Sequence, residues 1–393
     1  MQTAPPASSS PAMLLPVLSA ANFTIGAGAF MVVAILSPMA GDLRMSEAEA
    51  GLVMVVYAVA YTISSPLLVS ATGGLRRRDL LVAAMLVYAL AAGVMAASPG
   101  PLAVLVGRAV AAAAAGVITP VAASVAAASV PPEARGRALT WAFFGMTLSQ
   151  IFGVPLGAWI GYSYGWRVDF WAVAALSLAA ALALARFVPR DIAVARTRLS
   201  DLGATLVDMK SMLGVSLTFV FLSSAYVLFT FTSPLLEAGM GAGRDVISLF
   251  LLISGIGAVA GNLASGRLAD RLGPARTLAL HCGAMALVTP VYSLLPIPLW
   301  ALYLAGFLWS VFGWGFFAVQ QSRLIALAPE RSGVILSLNA SAIYLGRSLG
   351  SGLGSALIAR FGLDALGWAA SALAIAALFN LLIVERVLAR ARP

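Results

Sequence analysis

The chain has 393 residues, 61% of them hydrophobic and 10% charged, with a mean hydropathy of +0.97 and a formal net charge of +9 at pH 7. A soluble domain carries about 25% charged residues, so the composition excludes an ordinary soluble protein and points to a polytopic membrane protein. Nucleic acid is excluded as a partner because the cations form short clusters between apolar stretches, such as Arg76-Arg77-Arg78, Arg135/Arg137 and Arg386/Arg390/Arg392, whereas a nucleic-acid face needs a continuous basic stripe.

Residues 1–12, MQTAPPASSSPA, have no basic region and read as a disordered tail, with no cleaved signal expected. Twelve apolar stretches of the ~20 residues that cross a bilayer follow. They run at 13–38, 50–71, 79–98, 102–128, 138–161, 169–188, 213–235, 246–266, 277–295, 299–325, 334–359 and 367–388. The polar connection 189–211 divides them into six-helix bundles at 13–188 and 212–388, with a tail at 389–393. With both termini on one side, that side carries 18 Lys or Arg and the other 4, while Arg108 and Arg347 fall inside spans. Such asymmetry predicts cytoplasmic termini. The single cysteine, Cys282, excludes an internal disulfide and is read as an inert buried thiol.

The two halves repeat at an offset of 197 residues. Pro99 matches Pro296, Pro101 matches Pro298, Gly116 matches Gly313 and Pro132-Glu133 matches Pro329-Glu330. Gly136 then meets Gly333, Gly153 and Gly157 meet Gly350 and Gly354, and Trp171 meets Trp368. Like-oriented halves are parallel repeats about an axis along the membrane normal, a symmetry that serves alternating access. The expected fold is an all-α polytopic membrane protein of twelve transmembrane helices in two parallel six-helix repeats. A transporter is favoured over a membrane-embedded enzyme or a sensor.

Four stretches carry a family resemblance. Gly266-Arg267-Leu268-Ala269-Asp270-Arg271-Leu272-Gly273 follows span 8, and Arg108 lies in span 4. Span 5 contains Gly153-Val154-Pro155-Leu156-Gly157, followed by Gly165-Trp166-Arg167, and span 11 contains NASAIYLG. On these the chain resembles the twelve-span major facilitator superfamily. More narrowly, it is similar to the drug:proton antiporter branch with sugar-efflux, purine-nucleoside-efflux and chloramphenicol-resistance permeases. The resemblance implies efflux, proton coupling and a conformational latch in which Asp270 and Arg271 meet the start of span 5 near Gly136, where exposed N–H groups favour an anion. The alternative is an ordinary loop carboxylate satisfied by Arg267 or Arg271. Two positions depart from the family pattern. Gly73 stands where the first-half copy of Asp270 would be, and span 1 reads Gly26-Ala27-Gly28-Ala29-Phe30 where many relatives place a carboxylate. No Asp or Glu is expected well inside any span, which leaves a carboxylate relay without an obvious seat.

Ser149/Gly153/Gly157/Gly161, with Pro155 among them, and Gly346/Gly350/Gly354 repeat every four residues. Each set lies on one helix face and lets backbones approach closely, and both mark faces along which the halves are expected to slide. His281 is read as structural. Tyr57, Tyr61, Tyr226, Trp309 and Trp314 either line a cavity or pack in the core, and buried amides at Gln320 and Gln321 need partners.

Two arginines differ in depth. Arg108 is ~10 Å along its helix from Pro101, within snorkelling reach of headgroups. Arg347 is ~20 Å from either end of span 11, beyond the ~15 Å half-thickness of the hydrocarbon core. A central arginine costs about 2.5–3.5 kcal/mol to insert. A water-filled cavity, nearby carbonyls and amides, or an anionic ligand must offset that, and the repeat sets Gln150 opposite it. The expected site lies at the midplane between the halves, with Asn22, Arg108, Gln150, Tyr226, Gln321, Tyr344 and Arg347 as substrate-binding candidates. The reading is a monomeric inner-membrane exporter of a small organic compound, not an enzyme, with no cofactor or metal. Its partners are the bilayer, a small-molecule substrate and a coupling proton. The alternatives are uptake or exchange of a small organic anion and a transport-inactive membrane sensor.

Overall fold

The computed structural model describes residues 11–131, 134–190, 192, 209–327 and 332–390. The N-terminal tail, most of the 189–211 connection and the repeat-matched Pro132-Glu133 and Pro329-Glu330 lie outside the described residues. Among those described there is no strand, and the helices are α1 (Pro11–Leu43), α2 (Glu47–Ala71), α3 (Arg77–Ala96), α4 (Pro101–Ala128), α5 (Arg135–Tyr164), α6 (Trp166–Phe187), α7 (Met209–Phe229), α8 (Thr232–Met240), α9 (Arg244–Leu272), α10 (Pro274–Val288), α11 (Leu299–Leu327), α12 (Ser332–Phe361) and α13 (Ala365–Arg390).

All twelve expected intervals are helical, and ten helices are long and apolar enough to cross a membrane. Two intervals miss that standard. In the ninth, α10 ends after 15 residues and continues as a 3-10 turn, Thr289–Ser293. In the eleventh, the Ser, Gly, Asn and Arg347 of α12 dilute its apolar content. The seventh expected span is broken at Thr230-Phe231 into α7 and α8. Pro234, in the first turn of α8, has no N–H for the Thr230 carbonyl, so the ladder cannot run through unbroken.

Span 5 carries a related irregularity. Pro155 cannot bond the Ile151 carbonyl, and the preceding turn widens into a π segment, Ser149–Gly153, closed by Val154 N–H on the Ser149 carbonyl. Elsewhere the punctuation is conventional. Ser46 and Glu49 form a reciprocal capping box at the start of α2, at 3.2 and 2.8 Å. Gly165 (φ +94°) and Gly273 (φ +82°) make the sharp turns from α5 to α6 and from α9 to α10 that their family-like motifs require. After Gly165, the Trp166 indole donates to Asp42 at 3.0 Å and Arg167 pairs with the same carboxylate, tying α6 to the end of α1.

The bundles meet along two seams, α2 against α12 and α5 against α9. The small-residue ladders do not line them. A Cβ at Gly145 would strike the Ser19 carbonyl, and one at Gly157 would come within 2.9 Å of Met31, so the α5 ladder faces α1. In the same way Gly346 faces the Phe219 carbonyl of α7, at 2.6 Å, and Gly350 faces that of Ser223. Both ladders therefore seal helix pairs inside one bundle, at repeat-related places, and the expectation that the halves slide on them is corrected. Between the halves close approaches are made by Gly255 of α9, where a Cβ would lie 2.9 Å from Ile151 of α5, and by Gly51 of α2, where one would lie 2.5 Å from the Ser355 hydroxyl of α12.

Candidate functional site

Arg108 does not snorkel. It is fully buried, with its guanidinium turned into the first bundle. Nη1 donates to the Gly28 carbonyl at 2.9 Å, Nη2 to that of Ala29 at 3.4 Å and Nε to that of Val53 at 3.4 Å. The Tyr57 ring lies 4.1 Å from the guanidinium carbon. The stem is long enough to reach headgroups, but carbonyls on α1 and α2 satisfy the charge nearer at hand. Arg108 thus braces three helices and presents no surface to a ligand.

Arg347 sits mid-helix, fifteen residues from Ser332 and fourteen from Phe361. Its guanidinium carbon lies 5.4 Å from the ring of Phe30 on α1, 5.0 Å from that of Tyr226 on α7 and 5.0 Å from that of Tyr344 on its own helix. Tyr344 stacks on Tyr61 of α2 with ring centroids 3.7 Å apart. Both bundles therefore contribute to an aromatic cage around one cation. Ring faces offset about 0.5–2 kcal/mol each, a compensation absent from the sequence-based candidates. No carboxylate pairs with Arg347 among the described residues. Its Nε and the Tyr226 hydroxyl are buried without a hydrogen-bond partner, so the cage holds polar capacity that the protein does not use.

The other expected site residues scatter. Asn22 is fully buried and bridges helices, donating to the carbonyls of Leu18 (3.2 Å) and Ala142 (3.0 Å). Gln150 is carried by the π segment onto the wall of a separate cavity with Phe229, Trp309 and Trp314. Gln321 is exposed near the end of α11. Its neighbour Gln320 is buried, donating to the Gly214 carbonyl and the Thr218 hydroxyl, each at 3.0 Å. His281 is buried between the Phe312 carbonyl (2.7 Å) and the Ser265 hydroxyl (3.0 Å). Asp270, Arg271 and Gly136 lie at the ends of α9 and α5, and a Cβ on Gly136 would meet nothing within 4 Å.

Two charged groups escaped sequence reading. Arg323, near the end of the tenth expected span, is 5% exposed and bonds Glu385 at 2.7 Å. Asp169, placed by sequence at a helix end, is 2% exposed, with Oδ2 unpartnered. It is the one buried carboxylate among the described residues. At the end of the molecule away from the termini, Tyr162 bonds Ser233 and Glu237 of the other bundle, and Arg244 donates to Ser163 at 3.0 Å.

Two like-oriented helical bundles closing on a caged cation define a membrane-transporter architecture. The sequence model of the Major Facilitator Superfamily matches residues 18–351, and the chain belongs to that family. It is 29% identical to an inner membrane transport protein, YdhP, of Escherichia coli K12 over 346 residues, covering 87% of each chain. It is 31% identical to a chloramphenicol resistance protein of Streptomyces lividans over 280 residues, covering 69% of this chain and 70% of that one. The crystal structure of a mutant nucleoside transporter, NupG, superposes with a TM-score of 0.79 at 13% identity, covering 95% of this chain and 100% of the other. That likeness is one of fold. The protein is a multi-pass membrane protein.

Proposed function

We propose that the chain is a secondary transporter of the bacterial inner membrane that exports a small organic compound by alternating access, with Arg347 anchoring an anionic or strongly accepting group of the cargo. The observation that carries this reading is the cage itself: a mid-membrane guanidinium with no acidic partner among the described residues, enclosed by rings from both bundles, so that rocking one bundle against the other dismantles it. Efflux is supported by the similarity to a chloramphenicol resistance protein, and the inner membrane by the similarity to YdhP. The same uncompensated arginine supports exchange of an organic anion as the second reading. Oriented vesicles separate the two. Everted vesicles bearing the chain should accumulate labelled chloramphenicol under an imposed proton gradient, above vesicles that lack it. Accumulation in right-side-out vesicles instead overturns export.

Topology follows from the charge asymmetry. Cytoplasmic reporters fused after Arg78 or Arg392 should be active, and one after Pro99 inactive. A periplasmic reporter active at the C-terminus overturns that orientation. The Asp270 latch gives a second expectation. The bonds of Tyr162 and Arg244 hold the halves together at the far end, so loss of a latch at the terminal end should bias the protein toward cytoplasm-open. Asp270→Asn should lengthen the distance between spin labels at Arg137 and Arg276 and slow transport while insertion stays normal. An unchanged distance distribution removes the latch.

A further inference from the structure

Asp169 is a buried carboxylate that nothing in the transport reading uses. It lies in the first turn of α6 and faces the bare backbone of α5 and aliphatic side chains of α1. A Cβ at Gly161 would stand 2.7 Å from its Oδ2 and one at Gly157 3.7 Å from its Oδ1, and the same two glycines abut Ile35 and Met31. The outer half of α3, the third helix packed on α6, has no titratable side chain besides Ser between Ala89 and Ala96. Arg167, two residues back, is committed to the Asp42 carboxylate of α1 and, at 3.0 Å, to the Ser98 carbonyl. Tyr88 of α3 donates to the Ile25 carbonyl at 3.3 Å, Tyr162 of α5 bonds the other bundle, and Tyr164 is exposed. The remaining charges of these helices, Arg77, Arg78, Asp79, Arg135, Arg137 and Arg186, lie at the opposite end of the bundle. Oδ2 has no hydrogen-bond partner, and the carboxylate has no ion pair among the described residues. An unpaired ionised carboxylate among alkyl groups takes up a proton instead, so the closed packing of α1, α5 and α6 holds Asp169 as the neutral acid.

We propose that Asp169 is a pH switch on the outer gate, whose protonated form lets α5 lie close against α6 and α1 and whose ionised form draws water between them and loosens the contacts between the bundles. The proposal rests on the alternating-access reading above and on its cytoplasmic termini, which make this end periplasmic. The link to the gate is short. Tyr162 and Ser163 directly follow Gly161, and they make the outer contacts with the second bundle, Tyr162 to Ser233 and Glu237, and Ser163 from Arg244 at 3.0 Å. Asp169 is three residues into α6 and Gly161 three from the end of α5, so the acid lies only about 5 Å below the outer ends of both helices. Glycine faces in contact leave no room for water, so hydration of the ionised group has to shift α5. The π segment Ser149–Gly153 gives the outer part of that helix a joint. The closed packing keeps the proton and the wetted one releases it. Acid outside therefore favours the closed gate and alkali the open one, and one proton changes the closed-to-open ratio by at most about tenfold per pH unit.

Two measurements on monodisperse purified protein test this, and neither needs a cargo. Infrared spectra at neutral pH should contain a protonated-carboxyl C=O stretch that Asp169→Asn removes. The distance between spin labels at Ala97 and Leu299, exposed at the outer ends of the two bundles, should lengthen as pH rises. Its midpoint should coincide with the loss of the infrared band, with a slope no steeper than one proton. Asp169→Asn keeps the size of the side chain without its charge and should hold the distance short at every pH. The gate has carboxylates of its own, Glu237 and, within electrostatic reach of it, Glu47 of α2, and a response of theirs would survive Asp169→Asn. Absence of the band at neutral pH overturns the neutral acid. A distance that ignores pH, or whose pH response survives Asp169→Asn, overturns the switch. The shared midpoint is read on the unaltered protein, so two separate midpoints overturn the switch even where the variant folds poorly. Both readouts are independent of the vesicle assay, so loss of the export reading and loss of the switch are distinguishable.

Discussion

Replacing Arg108 with alanine will lower the yield and melting temperature of the protein more than any other single change on its helix. Three carbonyls on two other helices accept from this one guanidinium, and Tyr57 covers its face. Hydrogen bonds to charged groups contribute about 1.5–3 kcal/mol each, with the two 3.4 Å bonds at the low end. Removing the arginine recovers part of its insertion cost of about 2.5–3.5 kcal/mol, but leaves a void and stranded carbonyls between α1, α2 and α4. The expected net loss is about 2–4 kcal/mol, or roughly 30- to 900-fold in the folded-to-unfolded ratio. Arg108→Lys should recover only a fraction, since one ammonium cannot span three carbonyls on separate helices. The measurements are the monodisperse fraction after detergent extraction and the melting midpoint. Normal stability with weakened substrate binding would instead place this guanidinium in the transport site.

The contrast between the two arginines shows what the sequence could and could not disclose. The helices, their like-oriented halves and the depth of Arg347 follow from hydropathy, spacing and rise per residue, all of them local quantities. The environment of each arginine is not local. Phe30, Tyr61 and Tyr226 lie on three other helices, more than a hundred residues from Arg347, and only the packing of both bundles brings them to one point. Arg108 has the reach to snorkel, and nothing in its own span says that α1 presents the carbonyls of Gly28 and Ala29 beside it. Asp169 is buried because a glycine of α5 leaves room for it, a Cβ at Gly161 standing only 2.7 Å from its Oδ2. The glycines were legible as a packing face, but their partner was not. The broken seventh span was signalled by Pro234, a cue outweighed by the continuous apolar run around it.

Arg347→Gln should insert as well as the native protein or better, and should bind and transport its cargo much more weakly. Insertion gains because the cost of about 3 kcal/mol for a central cation disappears. The cage loses little structure, since Phe30, Tyr226 and Tyr344 touch the guanidinium as ring faces and Tyr344 keeps its stack on Tyr61. What is lost is the charge. Removing one partner of a buried charged contact costs about 2–5 kcal/mol of binding, a fall of roughly 30- to several-thousand-fold in affinity. Arg347→Lys should rescue part of it, because an ammonium keeps the charge and the cation–π attraction but not the planar fork. A purely structural arginine would give the opposite order, with poor folded yield and near-normal transport per folded molecule. Transport in proteoliposomes, normalised to monodisperse protein with affinity measured alongside, separates the two. Wild-type affinity in Arg347→Gln would mean that the rings hold the arginine only to hold the helices, and the anchor would have to be sought elsewhere between the bundles.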